Sequence, residues 1–171
     1  MDTLAKLAKS AVENYVESGT VIPVPQSFPK EFLDRKAGVF VTLEKSGDLR
    51  GCIGTYLPYC DNIAEETIMN AMAAAGKDPR FGPVREDELS DLNFTVYILN
   101  EPEAVGSLKE LDPKKYGVIV ESGKRNIGLL LPDLEGVDSV EQQLAIACGK
   151  ADIDPNKEKI SIYKFTVEKH Q

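Results

Sequence analysis

One seven-residue stretch, Leu49-Arg50-Gly51-Cys52-Ile53-Gly54-Thr55, constrains the fold of this chain more than any other. Its composition is typical of a β-strand, yet two of its residues are glycines, which weaken a strand unless another group must approach the backbone closely. Side chains alternate between the faces of a strand, so we expect Arg50, Cys52 and Gly54 on one face. A guanidinium would then lie beside a thiol, next to a position without a side chain. This pattern predicts a binding or catalytic site.

Length and charge limit the class of protein. The 171 residues suit a single domain, 1–171, that is large enough to bury a real core. The formal net charge of -8 argues against the broad basic surface that nonspecific nucleic-acid binding requires. No apolar run approaches the roughly 18 residues of a membrane span, and residues 1–18 lack the pattern of a signal peptide. We therefore expect a cytoplasmic protein.

The scarcity of histidine excludes several kinds of catalytic site. The only histidine is His170, close to the end of the sequence, so a Ser-His-Asp triad, a Cys-His dyad and a multi-histidine metal site are not expected. The three cysteines, Cys52, Cys60 and Cys148, form no short metal-binding pair and no disulfide scaffold. We expect no metal and no cofactor, and any acid–base chemistry must fall to Cys, Asp, Glu, Lys, Tyr or water.

Periodicity and turn residues predict an α+β fold with mostly antiparallel sheet. Three helices are expected, over residues 3–18, 62–75 and 140–150, with caps at Asp2, Asp61 and Ser139, the last in a capping box with Gln142. Hairpins are expected for 39–43 with 49–55 and for 117–121 with 127–131, around the turns 46–48 and 122–124. Further strands are expected at 94–99 and 160–168, the latter with an irregularity near Tyr163. Residues 20–30 form an extended connector, and 86–89 add a helical turn.

Two arginines are candidate anion ligands. Arg80 lies in the segment Lys77-Asp78-Pro79-Arg80-Phe81-Gly82-Pro83, whose two prolines indicate an ordered loop. Arg50 and Arg80 could grip a carboxylate or phosphate bidentately. Alternatively, each pairs with Asp78, Glu65 or Glu66 and holds the loop against the helix.

The remaining candidates each have a structural alternative. Cys52 is either a reactive thiolate, favoured by the Arg50 cation, or an inert buried thiol. Asn70 either orients a ligand or is a satisfied structural amide. Phe81 either stacks on a planar ligand or anchors its loop in the core. Gly51 and Gly54 allow the close approach of a ligand or of another part of the backbone.

The chain also resembles a known family. Residues 38–43 and 49–55, followed by Asp78-Pro79-Arg80-Phe81, are similar to the AMMECR-one domain (AMME chromosomal-region candidate protein; protein A of the AmmeMemoRadiSam system). The resemblance extends through 128–132 to 163–167. It implies two subdomains, the larger built from both chain ends and the smaller from the middle, with the cysteine motif near a cleft between them. It also implies association with a Memo-type protein and a radical-SAM protein.

Three functions remain open from the sequence. The first is a ligand-binding enzyme or enzyme component, in which Arg50, Cys52, Asn70, Asp78 and Arg80 line a cleft for a small anionic or nucleotide-like molecule. Cys52 and Arg50 would then be the catalytic candidates. The second is a noncatalytic adaptor for a Memo-type or radical-SAM partner. The third, a nucleic-acid-binding module, is disfavoured by the net charge of -8.

Overall fold

The computed structural model describes residues 1–123 and 126–171 and divides them into two compact units. The first unit comprises residues 1–99 and 168–171, and the second comprises residues 100–167. The helices are α1 (Thr3–Ser18), α2 (Lys30–Leu33), α3 (Ile63–Gly76) and α4 (Val140–Lys150), with 3-10 helices at Glu86–Asp91 and Leu108–Glu110. The strands are β1 (Val39–Lys45), β2 (Asp48–Thr55), β3 (Leu92–Leu99), β4 (Glu103–Ala104), β5 (Gly117–Ser122), β6 (Asn126–Leu130), β7 (Ile160–Phe165) and β8 (Val167–His170). The predicted α+β class is confirmed.

The first unit contains a four-stranded sheet in the order β2-β1-β3-β8, so β2 lies at an edge. Val39, Val41 and Leu43 of β1 are fully buried and belong to the same core as the apolar face of α1. Helix α1 begins and ends as predicted: the Asp2 side chain accepts the Ala5 N–H at 3.1 Å, and Gly19 adopts a left-handed conformation with φ 69°.

The hairpin of β1 and β2 is confirmed, with a shorter turn than predicted. Ser46 and Gly47 both have positive φ, 54° and 88°, which a two-residue hairpin turn of type I′ requires. Asp48 is the first residue of β2 rather than part of the turn. The register shifts between Leu43 and Glu44, where Arg50 is the extra residue of a β-bulge.

The predicted cap of helix α3 is wrong by one residue. The Asn62 side chain accepts the Glu65 N–H at 2.9 Å, whereas the Asp61 carboxylate pairs with Lys36 at 2.7 Å. Both residue types cap helices well, so composition alone does not choose between them. Residues 20–25 of the connector contain no helix or turn, as expected. A turn follows, in which the Phe28 N–H donates to the Pro25 carbonyl at 3.0 Å, and the short helix α2, which was not predicted, begins at Lys30.

The second unit has its own sheet, in the order β4-β7-β5-β6, and its own core. The capping box of α4 is confirmed: the Ser139 hydroxyl accepts the Gln142 N–H, and the Gln142 side chain accepts the Ser139 N–H. Cys148 is buried, in line with a structural role. The β5–β6 hairpin is confirmed, although Lys124 of its predicted turn lies outside the described residues.

The predicted strand over 160–168 is two strands in two sheets. β7 pairs with β5, whereas β8 belongs to the sheet of the first unit. The break is at Thr166 rather than near Tyr163. The Asn100 side chain donates to the Thr166 hydroxyl at 2.9 Å, and the Asn100 N–H donates to the Thr166 carbonyl at 3.0 Å. An alternating pattern of side chains predicts an extended backbone, but it does not predict which sheet the strand joins.

Within residues 1–123 and 126–171, the structure contains no helix with the length and apolar character needed to span a bilayer.

Candidate functional site

Cys52 lies on the edge strand β2, opposite Thr42 of β1. The Thr42 hydroxyl donates to the Cys52 Sγ at 3.2 Å, so these two side chains share one face of the sheet. Thr42 is buried, whereas Cys52 is half-buried. The thiol therefore has a hydroxyl donor on one side and is accessible in part, which differs from a sealed core cysteine.

Arg50 does not serve the thiol in the way the strand pattern predicts. The bulge interrupts the alternation at this residue, and all three guanidinium nitrogens have partners. Nε and Nη2 donate to Glu88 at 3.1 and 2.9 Å, while Nη1 and Nη2 donate to the carbonyls of Gly82 and Pro83 at 2.9 and 3.1 Å. These hydrogen bonds use the guanidinium to hold the segment over residues 82–88 against β2. None of these hydrogen bonds goes to the Cys52 thiol, and the catalytic role of Arg50 stays a prediction.

Glu88, which the sequence did not single out, is the centre of this cluster. Its buried carboxylate also accepts from Lys45 Nζ at 3.1 Å and from the Arg85 N–H at 3.0 Å. The hydrogen bonds from Arg50 hold the pKa of Glu88 well below its usual range, against the opposing effect of burial. The bonds from Arg85 and Lys45 lower it further. A carboxylate with so many donors serves as a structural anchor.

Asp78 and Arg80 cover the free edge of β2 at Cys52. The Cys52 N–H donates to Asp78 Oδ2 at 2.8 Å, and Arg80 Nη2 donates to the Cys52 carbonyl at 3.2 Å. Arg80 also binds Asp78 through Nε at 3.0 Å and Nη2 at 2.7 Å. The Arg80 hydrogen bond lowers the pKa of Asp78 to about 2, although burial opposes it, and the N–H groups of Cys52 and Arg80 add to the lowering. The Asp78–Arg80 ion pair therefore satisfies the backbone N–H and carbonyl of Cys52, as a neighbouring strand would.

This arrangement occupies the Asp78 carboxylate and leaves Arg80 partly available, so the ligand-binding role of Asp78 stays a prediction. Asp78 is buried, and its carboxylate is taken up by the protein itself. Arg80 is half exposed, and its Nη1 has no partner among residues 1–123 and 126–171. Phe81 is half-buried, with its ring centroid 5.5 Å from the Arg80 guanidinium carbon, rather than being a buried core anchor.

The protein's own groups fill the spaces next to both glycines. A side chain at Gly51 would overlap the carbonyl oxygen of Ala74 in α3, so this glycine permits close packing of helix on strand. A side chain at Gly54 would overlap the ring of Phe40, which lies over it. At Gly51, therefore, it is another part of the backbone that approaches closely. At Gly54 the Phe40 ring fills the space that a ligand could otherwise enter.

Asn70 is a structural amide rather than a ligand-binding residue. It is buried, and its Nδ2 donates to the Val39 carbonyl at 3.0 Å and to the Thr55 hydroxyl at 3.2 Å. The Thr55 hydroxyl in turn donates to Glu66. The amide thus ties helix α3 to both strands of the hairpin.

Glu66 is a buried carboxylate, which the sequence offered as an alternative ion-pair partner of Arg50 or Arg80 but which pairs with neither. It is fully buried and has no cationic partner in the described part of the chain. Its Oε2 accepts the N–H groups of Tyr59 and Cys60 at 2.8 and 2.6 Å. Burial first, and then the charge of Glu66, raise the pKa of the Cys60 thiol to about 11, with smaller contributions from Glu65 and Asp61. Glu66 therefore fixes the loop that precedes α3.

Among the described residues, no cluster of three or more His, Cys, Asp or Glu side chains could hold a metal ion. Of the predicted site residues, the structure brings together Cys52, Asp78 and Arg80, with Phe81 beside Arg80. It directs Arg50, Gly51, Gly54 and Asn70 to internal contacts.

The fold and site define an α+β protein with two four-stranded antiparallel sheets and a half-buried cysteine on an edge strand. The sequence profile described as AMMECR1 matches residues 5–170, and the chain therefore belongs to the AMMECR1 (AMMECR-one) family. The predicted resemblance is confirmed.

Proteins with similar sequences support this assignment over nearly the whole chain. A Thermotoga maritima protein is 56% identical over 167 residues, which cover 97% of this chain and 95% of the relative. Protein CA_C1420 of Clostridium acetobutylicum is 53% identical over 99% of this chain, but the chain spans only 36% of that longer protein. The crystal structure of uncharacterized protein PH0010 from Pyrococcus horikoshii is similar, with a TM-score of 0.89, 37% identity and coverage of 97% of this chain and 88% of that one.

Proposed function

We propose that this protein binds a small anionic molecule at the edge of β2, through the Arg80 guanidinium and the Cys52 thiol. The state of Arg80 is the observation that carries the proposal. Asp78 and the Cys52 carbonyl fix Nε and Nη2, while Nη1 is unpartnered within the described residues and half of the side chain is exposed. A guanidinium already held in one orientation loses little freedom when it binds a ligand.

One hydrogen bond from Arg80 is not enough to hold a ligand. A hydrogen bond to a charged group contributes about 1.5–3 kcal/mol, whereas a millimolar complex needs about 4 kcal/mol. The ligand must therefore make further contacts, and the nearest groups are the Cys52 thiol and the Phe81 ring. A planar group stacked on Phe81 would supply such a contact, which favours a nucleotide-like anion over a simple one.

Cys52 lies beside the proposed anion-binding group, because Arg80 Nη2 donates to the Cys52 carbonyl at 3.2 Å. The Thr42 hydroxyl donates to its sulfur. The hydrogen bond with Asp78 is the main cause of the raised pKa of Arg80, which burial opposes, and the charge of Asp78 adds to it. The proposal is for binding, with Cys52 as the candidate nucleophile if a reaction follows.

Protection of Cys52 from iodoacetamide tests the proposal. Inorganic phosphate, pyrophosphate, AMP and citrate are the probes, and mass spectrometry of the modified peptide gives the rate at pH 8. The other two thiols interfere little, since the pKa of Cys60 is about 11 and burial raises that of Cys148. At least one probe should slow the modification saturably.

Two arginine variants distinguish a specific site from a general charge effect. Arg80→Gln should abolish protection. Arg85→Gln should retain it, because the Arg85 guanidinium is exposed and its ion-pair partner among the described residues is Asp87. Failure of all four anions to protect Cys52, or equal protection in Arg80→Gln, would overturn the proposal.

A further inference from the structure

A second surface of the first unit is apolar, and Cys52 is not among the residues that line it. Residues 21–24 of the extended connector and Ile68, Met69 and Met72 of α3 line a groove of about 500 Å³. Glu65 is the one charged residue of this lining. Methionine side chains are flexible and polarisable, and they adapt readily to different apolar partners.

The apolar surface continues beyond the groove. Cys60 Sγ lies 3.8 Å from Met69 Sδ, which connects the groove to the loop over residues 56–60. Leu57 and Tyr59 of that loop are 58% and 84% exposed, and Val21 at the groove is 63% exposed. We name this surface, formed by the groove and by Leu57 and Tyr59, the apolar strip. Contiguous exposed apolar surface of this kind marks interaction sites.

The loop that carries Leu57 and Tyr59 is held in place before any partner arrives. Glu66 accepts the N–H groups of Tyr59 and Cys60, and it accepts the Thr55 hydroxyl at the end of β2. A surface loop with its backbone fixed in this way loses less conformational freedom on binding. The exposed aromatic ring is thus presented on a rigid support.

Negative charge borders the apolar strip. The Glu65 carboxylate makes no hydrogen bond or ion pair among the described residues, and Asp61 and the buried Glu66 lie close by. Lys36 binds Asp61 at 2.7 Å, and this hydrogen bond is the main cause of the raised pKa of Lys36, to which the charge of Glu65 adds. Among the described residues, carboxyl groups outnumber the ammonium group at this border, and after burial the charges of Glu66, Glu65 and Asp61 add to raising the pKa of Cys60.

We propose that the apolar strip docks a short apolar segment of a partner protein that carries Lys or Arg facing Glu65. A protein segment fits better than a small molecule because the strip extends from the groove to Tyr59. A second copy of this chain fits poorly, since a symmetric dimer would bring the same acidic border against itself. The docking site is independent of the anion site at Cys52.

Peptide display on the whole chain tests this proposal without a known partner. A phage library of random 12-residue peptides is selected on the immobilised protein, with a Val21→Ser and Tyr59→Ser double variant as the counter-selection target. Enriched sequences should combine several apolar residues with Lys or Arg. Synthetic copies should lose on the order of 10-fold in affinity for the double variant, as expected when central apolar contacts are removed.

Two further variants define the site. Glu65→Gln should weaken binding of the lysine- or arginine-containing peptides several-fold and leave their lysine-free analogues unaffected. Leu108→Ser, at an exposed leucine of the second unit, is the matched control and should bind like the unchanged protein. The proposal is overturned by enrichment of acidic or wholly polar peptides, by equal affinity for the double variant, or by a dimer in sedimentation that the double variant abolishes.

Discussion

The carboxylate of Asp78 accepts the backbone N–H of Cys52 at 2.8 Å, at the edge of β2 that no strand covers. Arg80 completes the edge by donating to the carbonyl of the same residue. The loop after α3 therefore supplies an acceptor and a donor where a sheet would supply a neighbouring strand. This relationship makes the loop part of the cysteine site and protects an edge that could otherwise pair with another chain.

Removal of the Asp78 carboxylate should destabilise the fold. In Asp78→Ala, the Cys52 N–H loses its acceptor and Arg80 loses its ion pair, so we expect a loss of about 2 kcal/mol in the free energy of unfolding. Urea denaturation measures this loss. Asp87→Ala, which removes an exposed pair with Arg85, is the control and should change stability far less, because surface ion pairs contribute little. Equal effects of the two substitutions would show that the edge contact contributes nothing special.

Acid should weaken the fold through Asp78 and Glu88. Both carboxyls have lowered pKa values, about 2 for Asp78, chiefly because of Arg80 and Arg50 respectively. Groups with lowered folded-state pKa values stabilise fully above their unfolded value of about 4 and lose this contribution as the pH falls below it. Urea midpoints should therefore fall steeply between about pH 5 and about pH 2.

A double variant isolates this acid effect. Asp78→Asn combined with Glu88→Gln removes both titrations, and the dependence of the unfolding free energy on pH should flatten by up to about 1.4 kcal/mol per pH unit for each group. An unchanged slope would mean that other carboxyls dominate acid unfolding.

The close packing of helix α3 on β2 should not tolerate a side chain at Gly51. Gly51→Ala places a methyl group against the Ala74 carbonyl oxygen, which belongs to the backbone and cannot rotate away. We expect a loss of about 1–3 kcal/mol in the free energy of unfolding, the usual cost of overpacking. Gly82→Ala is the comparison, because its new methyl group would meet open space. A neutral Gly51→Ala would contradict the close approach of helix and strand.

The fold should tolerate glutamine at position 66 but not leucine. Glu66→Gln keeps an oxygen that can accept the N–H groups of Tyr59 and Cys60, whereas Glu66→Leu leaves both unsatisfied. We expect Glu66→Leu to cost about 2–4 kcal/mol and Glu66→Gln to cost substantially less. Hydrogen exchange of the two amides is the second measurement and should accelerate in Glu66→Leu alone. Similar exchange in both variants would show that Glu66 does not hold this loop.

The sequence predicts those elements whose signals are local. The cap at Asp2, the stop at Gly19 and the capping box of Ser139 with Gln142 all act within one turn of helix, and the structure confirms them. Positive φ at Gly47 similarly follows from the hairpin turn itself. Local rules of this kind do not depend on the rest of the fold.

The candidate site was harder to predict because its contacts are distant in sequence. The bulge at Arg50 reflects the register between β1 and β2, and the Glu88 partner lies 38 residues away. Glu66 fits the first turn of α3 from sequence alone, since acidic residues are favoured at a helix N-terminus. Its complete burial follows only from packing against the loop at Tyr59 and Cys60.

The rates at which Cys52 reacts with iodoacetate and with iodoacetamide test the central claim most directly. The two reagents differ in charge, so their rate ratio reports whether the site attracts anions, and no ligand needs to be known. The rate with iodoacetate divided by the rate with iodoacetamide should be higher at Cys52 than in free cysteine. This ratio should fall several-fold in Arg80→Gln and should be unchanged in Arg85→Gln. A ratio equal to that of free cysteine, or one that Arg80→Gln leaves unchanged, would contradict an anion site at Arg80 and Cys52.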